Sequence, residues 1–185
     1  MKATPVTAVT DRVVPRVRLR PTLQSDLDYV LTLEQDPQNL PFITPWERTQ
    51  HEAAIRFPDF RHFIIESGNA LQAAGFLIFI GCKSHHRSLE LKRMVVQHQG
   101  QGVGRAALRV AKKVAFDDLG AHRLWLDVKT HNARARALYD SEAFVVEGVL
   151  RESVRVAGGF ESLTLMSMLA PEFAQRRAQG QELVA

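Results

Sequence analysis

The chain begins to alternate at "RVRLRP", where Val17 and Leu19 fall on one side of an extended segment and Arg18 and Arg20 on the other. That is the period of a half-buried strand. "SDLDYVLTLEQD" changes the period: Leu27, Val30, Leu31 and Glu34 recur at helical spacing, with Ser25 or Asp26 as the cap. The proline-broken "PQNLPFITPWERTQHEAAI" predicts a short second helix from about Thr44. "RHFIIES" and "LQAAGFLIFIG" flank the turn signal Gly68-Asn69 and predict a hairpin. "SLELKRMVV" reads as the next strand. A helix is then predicted from about Gly102 to Leu119, with Val103, Ala107, Val110, Val114 and Ala115 as its apolar face and Gly120 as its stop. "HRLWLDV" is a strand, "NARARALYDSE" a short helix, and "AFVVEGVLRESVRV" a further strand region that Gly158-Gly159 turns into "FESLTLMSML".

The strand–helix–strand unit at the centre implies one parallel pairing, and the hairpins on either side imply antiparallel ones. The expected fold class is therefore mixed α/β (α+β), a single domain with one mostly antiparallel sheet and helices packed on both faces. Residues 1–14 are expected as a flexible arm, 15–170 as the domain, and 171–185 as a polar tail with a frayed helix. No internal repeat or low-complexity block is visible.

At 185 residues the chain is long enough to bury a core. Its net charge of +4, from 24 basic and 20 acidic residues, is mild for one domain, so no nucleic-acid partner is expected. Cys82 is the only cysteine, which excludes an intrachain disulfide and a cysteine-built zinc site. Adjacent His85-His86 and the isolated His51-Glu52 lack the spacing of a metal site, so no metal is expected. The N-terminus has no apolar core of signal-peptide length, and the run from Ala73 to Gly81 is about half a membrane span. A cytoplasmic protein with no membrane partner is the expectation.

The most specific stretch is "VVQHQGQGVGRAALRVAKK", where glycines alternate at 100, 102 and 104 and Arg105 opens the helix. Bare backbone leading into a helix N-terminus suits an anion, most often phosphate. The phosphate-binding loop of nucleotide triphosphatases requires a lysine and a hydroxyl residue that are missing here. Gly102 to Ala107 fits the dinucleotide pattern G-x-G-x-x-A, with Asp127 ending the next strand, but the further βα units of that fold are absent.

"QGQGVGRAAL" resembles the Q/R-x-x-G-x-G/A acyl-CoA loop of the GNAT superfamily of N-acetyltransferases, with Gln99, Gly102 and Gly104 at the signature places. "NARARALYDSEAF" is similar to that superfamily's N-x-x-A-x-x-L-Y-x-x-x-G-F, with Asn132, Ala135, Leu138, Tyr139 and Phe144 in register. "EGVLRES" and "EQDPQN…F…PW" resemble the branch related to ribosomal-protein-alanine N-acetyltransferases. The likeness covers about residues 15 to 170. Ala143 stands where the family often has glycine, and the segment between Val96 and Gly100 is shorter than in many members and lacks their proline.

The resemblance implies direct transfer of an acetyl group from acetyl-CoA, as cosubstrate, to a primary amine. That amine is a protein N-terminus or, alternatively, a polyamine, antibiotic or amino acid; a non-catalytic acyl-CoA-binding module is the rival from another class. It further implies a bulged strand that parts from its parallel neighbour, so that Met94, Val95 and Val96 pair with the pantetheine arm. The Val95 N–H is the candidate donor to the thioester oxygen. Gln99, Gly100, Gln101, Gly102, Val103, Gly104 and Arg105 would surround the pyrophosphate, and Asn132 and Ala135 would flank it. Tyr139 is the candidate acid for the leaving thiol, since a phenol is protonated at neutral pH. Glu90 is the candidate base, with an ion pair to Lys92 as the alternative; Glu34 lies near the presumed acceptor groove, and Phe42 and Trp46 would wall it. An exposed hairpin near the C-terminus offers a surface for a homodimer.

Overall fold

The computed structural model describes residues 15–182. The arm expected at 1–14 lies outside them. Seven strands form one sheet in the order β1-β2-β3-β4-β5-β7-β6. The strands are β1 (Val17–Pro21), β2 (Phe60–Ser67), β3 (Gln72–Ile80), β4 (Ser88–Val96), β5 (Arg123–Lys129), β6 (Val145–Val156) and β7 (Gly159–Leu169). The helices are α1 (Leu27–Glu34), α2 (Arg48–Arg56), α3 (Val103–Lys113, ending in a π-helical turn over Val114–Asp118), α4 (Ala133–Ser141) and α5 (Ala170–Ala178). All pairings are antiparallel except β4 with β5. The predicted elements, hairpin and central parallel pair are all present.

Both faces of the sheet are covered because successive strand residues point to opposite sides. Ile65, Leu77, Phe79, Leu124, Leu126, Met166 and Met168 pack on one side with Ala106, Ala107 and Ala111 of α3 and Phe173 of α5. The alanines let α3 lie close to the sheet. Ile64, Phe76 and Ile78 point the other way, onto Val30 and Leu33 of α1. The segment from Pro171, expected as a polar tail, forms most of α5, whose buried Phe173 stacks on Phe116 at 4.9 Å between centroids.

One irregularity shapes the centre. Ile78 pairs with Arg93 but Phe79 pairs with Leu91, so Lys92 is an extra residue in β4. A bulge of this kind reverses the alternation of everything after it. Leu89 and Leu91 face α3, whereas beyond the bulge Val95 joins the α1 side.

The close of α4 also fixes a key side chain. Phe144 N–H donates to Tyr139 O and Ala143 N–H to Asp140 O, both at 2.9 Å. This is the paired cap in which a left-handed residue ends a helix, and Ala143 has φ 64°. The cap turns Phe144 back so that its ring lies 5.8 Å from that of Tyr139.

Candidate active site

β4 and β5 pair only from Ser88–Arg123 to Glu90–Trp125 and then part. The gap opens a cavity of about 950 Å³, lined from both strands, the glycine loop, α4 and the loop between α1 and α2. Gln97 N–H donates to Ala74 O at 2.8 Å, with Gly75 opposite Val96 and Phe76 opposite Val95. Strand alternation therefore turns the N–H of Val95 toward β3 and leaves those of Met94 and Val96 facing the cleft. The expected Val95 donor is thus corrected: Met94 and Val96 present the unpaired backbone, and Val95 contributes only to the wall.

At the mouth of the cleft Gly100 and Gly102 have φ 78° and 82°, a region that disfavours any side chain. Gly102 is the N-cap of α3 and supplies no side-chain cap. The first helical bond is Ala106 N–H to Gly102 O, so among the described residues the N–H groups of Val103, Gly104 and Arg105 have no backbone acceptor. Gly104 is helical, and a Cβ built there would come no closer than 3.9 Å to Leu138 or Val96. Neither conformation nor packing requires glycine at 104. Uncapped amides beside a bare surface fit a diphosphate approaching the helix end.

Gln99, Gly100, Gly102, Gly104, Arg105, Asn132 and Ala135 all line the cleft, as do Phe42, Trp46 and Tyr139. Asn132 caps α4 by accepting from Ala135 N–H at 3.1 Å, while its amide NH2 has no partner among the described residues. Arg105 reaches Ser141 Oγ at 2.9 Å and Glu142 Oε1 at 2.7 Å. Buried Glu142 also takes Arg109 and Lys112, clamping α3 to the end of α4. Burial pushes its carboxyl up, but the three cations outweigh that and hold it below the usual range.

Four expected site residues do not line the cleft. Gln101 is exposed on the loop, and Val103 packs its side chain into the core while its N–H opens the helix. Glu90 is ion-paired to Lys92 at 3.1 Å, the alternative weighed from the sequence. Glu34 is fully buried: it pairs with Arg93, accepts Trp46 N–H at 2.5 Å and lies 3.5 Å from His51 Nε2. Burial raises the Glu34 pKa, but His51, Arg93 and the Trp46 amide together hold it low. It is committed to holding the acceptor loop, so neither glutamate sits where a base is needed. Behind it, His51 Nδ1 meets His62 Nε2 at 3.1 Å, and burial brings His62 down to about 3.

The acceptor loop is pinned over the cleft at several points. Lys129 Nζ donates to Pro41 O at 2.9 Å, Arg93 Nη2 to Thr44 O at 2.7 Å, and Gln99 Nε2 to Asn39 Oδ1 at 3.2 Å. Arg134 lies over Phe42, 5.8 Å from the ring centroid.

The sequence reading missed Asp127 as a site residue. It lines the cleft and has no hydrogen-bond or ion-pair partner among the described residues. The signal lay in "LWLDV": Trp125 and Asp127 share a face opposite Leu124 and Leu126, so the strand carries a carboxylate on the side away from the α3 core. Tyr139 is buried at 9 % exposure, and its hydroxyl has no partner among the described residues. Burial, and then the charge of Asp127, push its pKa up to about 12.

A mixed sheet whose central parallel strands part beside a glycine-rich helix start defines the acyl-CoA-binding class of fold. The acetyltransferase (GNAT) family matches residues 27–144, and the chain belongs to that family. Over 104 residues it is 34% identical to mycothiol acetyltransferase of Jonesia denitrificans, covering 52% of this chain and 32% of that one. The chain thus spans about a third of this relative's length. Its fold is similar to a chimera of spermidine N-acetyltransferase SpeG from Vibrio cholerae and hSSAT, with TM-score 0.78 and 25% identity over 86% of this chain and 99% of that one. It is also similar to the V. cholerae spermidine N-acetyltransferase solved with CoA and spermine, with TM-score 0.77 and 24% identity over 85% and 98%.

Proposed function

We propose that the protein is an acetyl-CoA-dependent N-acetyltransferase acting on a small primary amine. The observation that carries this is the meeting in one cleft of the uncapped α3 terminus, the parted strands, Tyr139 and Asp127. The amides of Val103, Gly104 and Arg105 would hold the diphosphate, and those of Met94 and Val96 would bond the pantetheine arm as an added strand does. Acetyl-CoA, when bound, supplies the thioester carbonyl that the amine attacks.

The rest belongs to this chain's own side chains. Asp127 takes a proton from the incoming ammonium, directly or through one water. Tyr139 keeps its proton over the whole neutral range and donates it to the departing sulfur. The cleft-facing strand amides offer hydrogen bonds where negative charge develops on oxygen.

Two observations favour a small amine over the protein N-terminus expected from the sequence. The acceptor loop is tied down at Pro41, Thr44 and Trp46, which walls that side of the cleft. The similar SpeG chimera is a spermidine N-acetyltransferase. Thiol release from acetyl-CoA against a panel of polyamines, amino acids, aminoglycosides and N-terminal peptides tests the reading. Turnover confined to small amines supports it, and turnover confined to peptides overturns it.

A further inference from the structure

His51 is fully buried, and its Nε2 has no hydrogen-bond partner among the described residues; Glu34 Oε2 stands 3.5 Å away. At that distance the tautomer decides the sign of the contact. A proton on Nε2 points an N–H at the carboxylate, whereas a bare Nε2 turns a lone pair toward it. Two further contacts bear on the choice. Thr22 Oγ1 lies 2.9 Å from His62 Nδ1, and His62 Nε2 lies 3.1 Å from His51 Nδ1. Thr22 and His62 are buried as well. Only one proton fits between the two rings. If the Thr22 hydroxyl donates to His62 Nδ1, His62 carries its proton on Nε2 and gives it to His51 Nδ1. His51 then carries its own proton on Nε2, facing Glu34. Run the other way, the chain sets a bare nitrogen against the carboxylate. The charge of Glu34 selects the first direction.

We infer that Thr22, His62 and His51 are positioning residues for the acceptor amine: their one-way chain of donors aims the His51 N–H at Glu34 and so fixes the carboxylate that seats Trp46 over the cleft. This role rests on the small-amine reading of the site. Trp46 is where the chain delivers its effect. Its N–H donates to the same Glu34 Oε2 at 2.5 Å, and its ring lies 5.3 Å from that of His51 and 5.1 Å from the Arg93 guanidinium. Trp46 lines the cleft, whereas Thr22, His62 and His51 do not. The surroundings suit uncharged rings. Burial, and then His51, hold His62 at about 3, so at neutral pH it has one proton to place. The charges that face it are Glu34 on α1, Asp26 at the N-cap of α1 and Arg93 on β4, while β3 offers the Phe76 ring at 5.7 Å. Glu34 is paired with Arg93, and Asp26 with Arg20, so no carboxylate is left over to balance an imidazolium.

Long-range 1H–15N correlation on the labelled full chain reads the tautomers at pH 7 and needs only the wild type. His62 and His51 are both expected with the proton on Nε2 and none on Nδ1. Thr22→Val keeps the shape of the side chain but removes the hydroxyl donor, and Thr22→Ser keeps the donor. In Thr22→Val the His51 signal should split between tautomers and the Trp46 amide should exchange faster with solvent. KM for the small amine that turns over best should rise about 2–30-fold, with kcat and the Kd for CoA unchanged. Thr22→Ser should restore all three. A wild-type His51 protonated on Nδ1 overturns the chain of donors. A Thr22→Val protein with wild-type KM and Trp46 exchange, or one whose losses Thr22→Ser does not restore, overturns the positioning role. The tautomers and the amide exchange are read without turnover, so their failure is distinct from that of the small-amine reading. That failure shows as no turnover with any small amine, and it removes the acceptor role with it.

Discussion

Asp127 and Tyr139 line one cleft, and the carboxylate's charge adds to burial in holding the phenol at about 12. Tyr139→Phe keeps the ring packing against Phe144 but removes the only proton the residue can give. The expected result is a fall in kcat of about 10²–10⁴-fold with the Kd for CoA unchanged. Asp127→Asn is expected to lower the rate without moving that Kd. Stopped-assay kinetics beside calorimetric titration of CoA separate the two quantities.

The raised phenol also has a pH signature. The folded state favours the neutral form, so its contribution to stability is complete below the ordinary value of 10.0 and is lost as pH rises from there through about 12. Between pH 7 and 10 the rate should show no fall from phenol ionisation. A kcat profile that drops with a midpoint near 9 and flattens in Tyr139→Phe would count against this role.

Gly104 separates a ligand requirement from a structural one. A methyl group meets nothing nearer than 3.9 Å there, and alanine is the better helix former. Gly104→Ala is expected to raise stability by about 0.5–1 kcal/mol while weakening CoA binding. Denaturant unfolding alongside CoA titration checks both signs.

Ala143 carries the opposite strain. Its φ of 64° is left-handed, and an alanine there costs about 1 kcal/mol relative to glycine. Ala143→Gly should therefore stabilise the fold by about that amount, with kcat unchanged because the cap still seats Phe144 on Tyr139. Loss of stability would mean that the alanine side chain contributes more to the core than the strain costs.

Glu34 and Glu142 are held below the usual carboxylate range by the cations around them. For groups lowered on folding, the stabilisation is full above the ordinary value of 4.5 and disappears as pH falls below it. Glu34→Gln leaves the Arg93 charge buried without its partner and is expected to cost about 3 kcal/mol or more at pH 7. The variant's stability should also fall less steeply between pH 4.5 and 2 than that of the wild type. Thermal unfolding across that range reads the difference.

The glycine loop, the α4 motif and the order of elements were legible because each has its own local chemistry: positive φ at Gly100 and Gly102, a cap at Asn132, a core-facing ring at Tyr139. The left-handed turn at Ala143 showed in the sequence only as an alanine where the family often has glycine. The base was not. Glu34 and Glu90 were chosen as carboxylates on suitable elements, but their engagement depends on Arg93 and Lys92. The bulge at Lys92, which turns Arg93 toward Glu34, is a pairing property of β3 with β4 and leaves no mark in the alternation of "SLELKRMVV". Asp127 was read only as the acidic residue that follows a dinucleotide-like glycine pattern, and that reading obscured its place in the cleft with Tyr139. The buried relay of Thr22, His62 and His51 joins residues 40 and 11 positions apart, beyond any local pattern.

Calorimetric titration of CoA into the wild type and Gly104→Val tests the central claim most directly. The account predicts one CoA per chain, no displacement by NAD, and binding lost in the variant while its unfolding temperature stays close to that of the wild type. Equal binding by the two proteins, or displacement of CoA by NAD, would contradict it.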